Sequence, residues 1–204
     1  MNADFLLTSL LIVISPGTGA LITLSTGLQQ GARRALVAAA GCTLGVVPHM
    51  LAAVTGLAAL LQANPLAFGL VKYIGVAYLL FMGWQTLRNS GPLSLTQSSM
   101  QPSQGALVRY AILANALNPK LSVFFLAFLP QFVTSDDPHP VRTMLLLSTL
   151  FAVMTLAIFA FYGAFAARVR HLILGNVRVM NGIRWSVSVA FIVLAVKLAL
   201  SHQS

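Results

Sequence analysis

Long apolar segments separated by short polar connections make up most of this sequence. Six of these segments are long enough for a membrane helix, at about 5–26, 36–61, 68–87, 106–133, 143–167 and 179–200. A helix needs about 20 predominantly apolar residues to cross the hydrocarbon core of a bilayer. The pattern therefore predicts an all-α integral membrane protein with six transmembrane helices in a single transmembrane domain over residues 1–204.

Composition strengthens this prediction. Only 7% of the 204 residues are charged and the mean hydropathy is +0.87, whereas soluble domains are about 25% charged. The first apolar segment has only Asn2 and Asp4 as polar residues before Phe5, so we interpret it as a retained helix and not as a signal peptide. Cys42 is the single cysteine, which argues against a disulfide framework or a cysteine metal cluster. We predict no metal and no cofactor.

The fourth segment contains the triplet Asn118-Pro119-Lys120. Proline breaks or kinks a helix, and it disfavours helical geometry at the residue before it. Lys120 then places a charge at membrane depth, at a cost of about 2.5–3.5 kcal/mol on insertion scales. Broken helices with polar groups at the break form binding sites in many transporters. The alternative is a kinked helix whose lysine extends to the headgroups. We predict that Lys120 faces the interior of the bundle.

The first segment carries a similar interruption, which runs from Ser15 through Pro16, Gly17 and Thr18 to Gly19. Hydroxyl side chains near such a break can bond to freed carbonyl groups or to a ligand. The alternative is a packing face of small residues.

Pro16 and Pro119 lie in the first helix of each set of three, at matching depth. Each set has three helices, which is an odd number. The second copy of a duplicated set must therefore enter the membrane from the opposite side. This pattern predicts two inverted three-helix repeats, as in secondary transporters, with helices 1 and 4 broken at Pro16 and Pro119. Repeat one covers about 1–88, a polar linker about 89–104, and repeat two about 105–204.

Basic residues indicate the orientation. One side of the membrane would carry Arg33, Arg34, Arg88, Arg109, Arg168, Arg170, Arg178 and Arg184, and the other Lys72, Arg142, Lys197 and all three acids. By the positive-inside rule the arginine-rich side is cytoplasmic, so both termini are predicted outside. In addition, Trp84 with Arg88 and Tyr73 with Lys72 are typical interfacial anchors, and Lys197 is close enough to a helix end to extend to the headgroups.

The second segment contains two further features. Gly41 and Gly45 form a GxxxG pair that lets another helix approach closely. His49 follows Pro48 and is the only histidine in the middle of a segment. An imidazole titrates near neutral pH, which makes His49 the candidate for proton coupling. A structural hydrogen-bond role is the alternative.

These residues resemble the lysine exporter (LysE/RhtB) family, within it the amino-acid exporters of the homoserine/threonine-resistance type. The similarity covers nearly the whole chain, and its most specific part is Asn118-Pro119-Lys120 followed by Phe124 to Phe132. The other matching stretches are Ser15 to Gly17, Gly41 and Gly45 with His49, and Tyr73 to Leu79 with Gly83 and Trp84. The resemblance implies six helices in two repeats and export of amino acids in exchange for protons.

Two positions depart from the family pattern. The family often has Pro-Gly-Pro-Asn in the first helix, where this chain has Pro16-Gly17-Thr18-Gly19, and an acid in the second helix where this chain has Val46. No acidic residue then lies clearly within the membrane. A carboxylate proton relay and a strongly cationic substrate are therefore both disfavoured.

The sequence thus predicts a secondary exporter of neutral amino acids or related small metabolites in the bacterial cytoplasmic (inner) membrane, with protons as the coupling ion and a homodimer as the candidate assembly. The alternative is a passive small-solute channel or a structural membrane subunit. No motif of an enzyme active site is evident, and no partner such as nucleic acid is indicated. The candidate substrate-binding residues are Ser15, Pro16, Gly17, Thr18, Asn115, Asn118, Pro119 and Lys120, with His49 as the candidate for proton coupling.

Overall fold

The described part of the chain is all helical. The computed structural model describes residues 3–15, 17–63, 65–88, 103–134, 136–173 and 177–200. Their helices are α1 (Ala3–Ile14), α2 (Thr18–Gln30), α3 (Ala32–Leu44), α4 (Val47–Ala63), α5 (Pro65–Arg88), α6 (Gln104–Ala116), α7 (Pro119–Val123), α8 (Pro140–Ile173) and α9 (Val177–Leu200). A π-helical turn, Phe124–Phe128, and a 3-10 turn, Leu129–Phe132, follow α7 directly.

Several of these helices suit a membrane by length and composition. Ala32–Gly56 and Pro140–Val169 could each cross a bilayer alone, and two bent pairs raise the count to as many as four spans among the described residues. The prediction of an all-α membrane protein is therefore confirmed, whereas the count of six spans and their inverted repeat stay predictions. Most of the predicted linker, residues 89–102, lies outside the described residues.

Two helix pairs are bent where the sequence predicted breaks. The axes of α1 and α2 differ by 52°, and those of α6 and the segment from Pro119 to Phe132 differ by 45°. Asn118 has φ −77° and ψ 107°, and its side-chain oxygen accepts a hydrogen bond from the backbone N–H of Lys120. Proline in the first turn and asparagine at the N-cap are standard helix-starting signals. Pro16 itself lies outside the described residues.

The second apolar segment is a single candidate span, Ala32–Gly56, with an interruption close to the predicted kink at Pro48. Helix α3 ends at Leu44 and α4 begins at Val47, so the interruption precedes Pro48. Proline lacks an N–H, and the first turn of a helix is where that loss costs least.

Glycines bring the helix backbones into close contact. A Cβ atom on Gly45 would lie 2.7 Å from the carbonyl oxygen of Ile112, and one on Gly41 would lie 2.8 Å from the Cβ atom of Ala111. The predicted close approach at the GxxxG pair is thus confirmed, with α6 as the partner. A Cβ atom on Gly27 would overlap the carbonyl oxygen of Gly163, so α2 and α8 are in close backbone contact in the same way.

An aromatic cluster fills the core below α7. Phe124 stacks on Phe151 with ring centroids 4.3 Å apart, and Phe125 meets the same ring edge-on at 5.4 Å. Phe5 of α1 packs edge-on against Phe132 at 5.3 Å. These buried rings connect α1, α8 and the turns that follow α7.

At the predicted anchors, Trp84 lies beneath the guanidinium of Arg88 at 5.0 Å, and Lys72 lies 5.6 Å from the ring of Tyr73. The ammonium of Lys197 donates to the hydroxyl oxygen of Thr8 at 2.5 Å, and its extension to the headgroups stays a prediction. Thr8 is fully buried, so this lysine links α9 to α1.

Candidate functional site

Lys120 is buried at the point where the two helix breaks meet. Only 3% of its surface is exposed. Its Nζ atom donates to the carbonyl oxygen of Ile12 at 2.9 Å and to that of Ser15 at 2.6 Å. Both acceptors lie at the C-terminal end of α1, where helix carbonyl groups lack intrahelical partners and carry partial negative charge. The carbonyl dipoles at the end of α1 therefore stabilise the positive charge of Lys120, which lies just after the second helix break.

Two hydroxyl groups complete the bonding at the end of α1. The Ser15 hydroxyl donates to the carbonyl oxygen of Ile12 at 2.8 Å. The Tyr162 hydroxyl of α8 donates to the carbonyl oxygen of Ile14 at 2.9 Å. Three freed carbonyl groups at this break thus have donors from α1, α7 and α8.

Asn115 connects the two sides of the site. It is 1% exposed, and its Nδ2 atom donates to the carbonyl oxygen of Cys42 at 2.6 Å. Its Oδ1 atom accepts from Nδ2 of Asn118 at 3.1 Å. Because Asn118 also caps the backbone of Lys120, these amides fix α7 against α3 and α6.

His49 lies at the edge of the same network. It is 7% exposed and its ring stacks on Phe125. Its Nε2 atom lies 3.1 Å from the carbonyl oxygen of Asn115 and its Nδ1 atom 3.3 Å from the hydroxyl oxygen of Ser122. Since a carbonyl only accepts, Nε2 carries a proton in this arrangement. The hydroxyl of Ser122 can donate to a neutral Nδ1 or accept from a protonated one.

A small cavity lies between the two breaks. Its volume, measured as the space open to the centre of a water molecule, is about 10 Å³. This is room for about one water molecule. Its walls are Ile12, Val13, Gly19, Ala20, Asn115, Asn118, Lys120, Leu121, Phe151, Thr155 and Phe159. Small-molecule sites occupy about 300–1,000 Å³, so this cavity is too small to hold an amino acid in the present arrangement.

The structure brings most of the predicted site residues together. Gly17 touches the lysine, because a Cβ atom there would lie 2.8 Å from Nζ of Lys120. Ser15, Asn115 and Asn118 are bonded as described above, and Pro119 starts α7. Thr18 is exposed at the first position of α2, and among the described residues no hydrogen bond joins its side chain to this cluster. Pro16 lies outside the described residues.

Sequence reasoning missed several residues of the site. Tyr162, Thr155 and Phe159 come from α8, which the sequence shows only as an almost wholly apolar segment. A phenol in the middle of such a segment is the one available signal for Tyr162, because a buried hydroxyl needs a hydrogen-bond partner. Ser122 lies two residues after Lys120 and therefore on another face of α7, so its spacing gives no signal for the contact with His49.

The chain is that of a helical membrane protein whose polar site lies between two broken helices. Comparison with protein families matches residues 10–202 to the LysE type translocators, and the chain belongs to this family, whose members are transporters. This confirms the family resemblance derived from the sequence.

Relatives cover most of the chain. An uncharacterized membrane protein of Vibrio cholerae is 37% identical over 80% of this chain and 80% of its own length. The homoserine/homoserine lactone efflux protein of Salmonella typhimurium is 34% identical over 81% and 80%. The leucine efflux protein of an Enterobacter species is 30% identical over 94% and 91%. No solved structure matches the chain.

Proposed function

We propose that this protein exports neutral amino acids and related small primary amines across the bacterial cytoplasmic membrane in exchange for protons. The observation that carries the proposal is Lys120, which is buried at the meeting point of two helix breaks and bonded to freed backbone carbonyls. Relatives named for efflux of homoserine, its lactone and leucine support the substrate class.

The site offers partners for both ends of a zwitterion. Lys120 and the N-terminal N–H groups of α2 suit a carboxylate, because helix N-termini carry partial positive charge, whereas the first N–H groups of α7 already bond to Asn118. Carbonyl groups at the breaks and the amide oxygens of Asn115 and Asn118 suit the amino group. The cavity must widen to admit a substrate, so we propose that loading requires a movement of the helices around the two breaks.

Proton coupling is assigned to His49. Its ring contacts the backbone of Asn115 and the hydroxyl of Ser122. Ser122 can serve as donor or acceptor, so either protonation state of the ring keeps both hydrogen bonds. Through Asn115 and Asn118 the ring is linked to the turn that holds Lys120. Protonation of Nδ1 would require the hydroxyl of Ser122, which lies in α7, to change from donor to acceptor, and we propose that this change biases the position of α7.

The membrane arrangement belongs to the same proposal. The spans would be α1 with α2, α3 with α4, α5, α6 with α7 and its following turns, α8, and α9. These form two inverted repeats, with both termini extracytoplasmic. A homodimer is one assembly for experiment to test.

Export profiling tests the proposed function. Cells that overproduce the protein are loaded with a panel of amino acids, and efflux and growth resistance are compared with vector-only cells and with cells producing Lys120→Ala. Efflux of neutral amino acids above both controls is the expected result, and no gain for any member of the panel would reject the substrate class.

A passive channel or a structural subunit is distinguished in vesicles. Uptake into inverted membrane vesicles against a concentration gradient, abolished when the proton gradient collapses, excludes both alternatives. Transport that only follows the substrate gradient would support the channel.

A further inference from the structure

The carbonyl oxygens of Ile12 and Ser15 converge on a single point. They lie 2.9 Å and 2.6 Å from the same nitrogen atom, Nζ of Lys120. This is the spacing of charge-assisted hydrogen bonds from an ammonium group. Neither acceptor is a side chain, so the subsite is built by the break in α1 and not by a residue type.

The space around this point fits one ammonium group. A Cβ atom on Gly17 would lie 2.8 Å from Nζ and 2.9 Å from Cε of Lys120. The small cavity lies directly beside Lys120, with Gly19 and Ala20 on its α2 side. The cavity leaves space for a second amine next to Nζ of Lys120. Two cations cannot bond to the carbonyl oxygens of Ile12 and Ser15 at the same time.

We propose that the carbonyl oxygens of Ile12 and Ser15 form an ammonium subsite, which Lys120 fills in the closed protein and yields to the primary amine of the transported compound. This inference rests on the proposed function. The released lysine then pairs with the substrate carboxylate, which lies next to the amino group in any α-amino acid.

The exchange keeps every group satisfied. One ammonium replaces another at the same two oxygens, so no buried carbonyl is left without a donor, a loss that costs about 1–3 kcal/mol. A quaternary ammonium has no N–H group and cannot take this place. An N-acylated amino acid has lost the positive charge. The subsite therefore favours compounds whose amine is charged and has free N–H groups, and it does so with backbone carbonyls and not with a carboxylate side chain.

Removal of the lysine side chain exposes the subsite to added amines. Purified Lys120→Ala is heated with ethylammonium or with tetramethylammonium, and the Tm is compared with that of the wild type. Ethylammonium should raise the Tm of Lys120→Ala by about 2–4 °C, and tetramethylammonium should leave it unchanged. The wild type should respond to neither, because its own lysine fills the site.

Two variants serve as matched controls. Lys120→Met removes the charge but keeps a side chain of similar length in the space, so ethylammonium should not stabilise it. Gly17→Ala combined with Lys120→Ala places a methyl group at the subsite and should abolish the response. Equal shifts in all variants, equal shifts with both amines, or no shift in Lys120→Ala would overturn the proposal.

If Lys120→Ala does not accumulate as folded protein, its yield becomes the readout. Recovery of monodisperse protein with ethylammonium but not with tetramethylammonium supports the subsite, and failure with both overturns it. These measurements do not involve transport. Export by the wild type together with no ethylammonium binding by Lys120→Ala would reject the subsite alone, whereas ethylammonium binding by Lys120→Ala together with no export by the wild type would reject the proposed function.

Discussion

Gly19 and Asn115 are in direct contact across the site. A Cβ atom on Gly19 would lie 2.7 Å from Oδ1 of Asn115 and 2.7 Å from a ring carbon of Phe159. Asn115 cannot move away freely, because its Nδ2 atom is bonded to the backbone of Cys42. The absence of a side chain at position 19 therefore decides how closely α2 approaches α6 and α8.

Gly19→Ala should impair both stability and export. Insertion of a methyl group into packed structure costs about 1–3 kcal/mol, and about 2–4 °C in Tm is expected for each kcal/mol at this chain length. Gly105→Ala is the matched control, because nothing lies within 4 Å of its Cβ position. Thermal unfolding and efflux of both variants check this prediction, which fails if the two variants behave alike.

Lys120→Ala should abolish export while the protein still inserts. Loss of one partner of a buried charged interaction costs about 2–5 kcal/mol, which corresponds to at least ~30-fold in transport rate. Lys120→Arg should also impair transport, because a planar guanidinium does not replace a compact ammonium between two carbonyls. Efflux normalised to membrane protein level is the measurement. Normal export by Lys120→Ala would show that Lys120 has no essential role in transport.

His49→Gln should uncouple export from the proton gradient. Glutamine can still donate to the carbonyl oxygen of Asn115, but it does not titrate between pH 5 and 8 as an imidazole does. We expect efflux that no longer responds to an imposed pH gradient. Ser122→Ala provides the comparison, since it removes one hydrogen bond and keeps the imidazole. A wild-type gradient response in His49→Gln would make His49 structural.

Tyr162→Phe should weaken the break in α1 without disturbing its packing. The change removes the donor to the carbonyl oxygen of Ile14. A net hydrogen bond contributes about 0.5–1.5 kcal/mol, so a modest fall in Tm and slower efflux are expected. Phe161→Leu is a suitable control on the exposed side of α8. Equal losses in both variants would argue against a specific role of the phenol.

Both chain ends should lie outside the cytoplasm. The basis is the excess of arginine on one side of the predicted spans, eight basic residues against three. Reporter fusions after Ser204 and within the linker between Ser90 and Gln104 should indicate opposite sides of the membrane. Cytoplasmic reporter activity at Ser204 would refute the arrangement with six spans and external termini.

The helix breaks were predictable because their causes are local. The ring of Pro119 interrupts the helix and disfavours helical geometry at Asn118, so these two residues alone predict the second break. The π-helical turn Phe124–Phe128 was not predicted. It depends on how Phe124 and Phe125 pack against Phe151, and a run of phenylalanines alone does not indicate that partner.

The buried position of Lys120 followed from the sequence, but its partners did not. Every residue has a carbonyl group, so nothing marks Ile12 and Ser15 as acceptors until the bend between α1 and α2 is known. The same holds for Lys197, whose place near a helix end suggested the headgroups. Only the tertiary contact between α9 and α1 brings Thr8 within its reach.

The glycine contacts have a mechanical consequence. Gly45 meets the backbone of Ile112, Gly27 meets that of Gly163, and Gly163 in turn meets Ala35. Through these contacts α2 and α3 from the first half are joined backbone to backbone with α6 and α8 from the second. Close-packed interfaces of this kind do not slide continuously. A simple rocking of one half against the other would have to separate them. We therefore expect α2, α3, α6 and α8 to move together as one unit during transport, and we propose that bending occurs in α1 and α7, whose ends meet at Lys120.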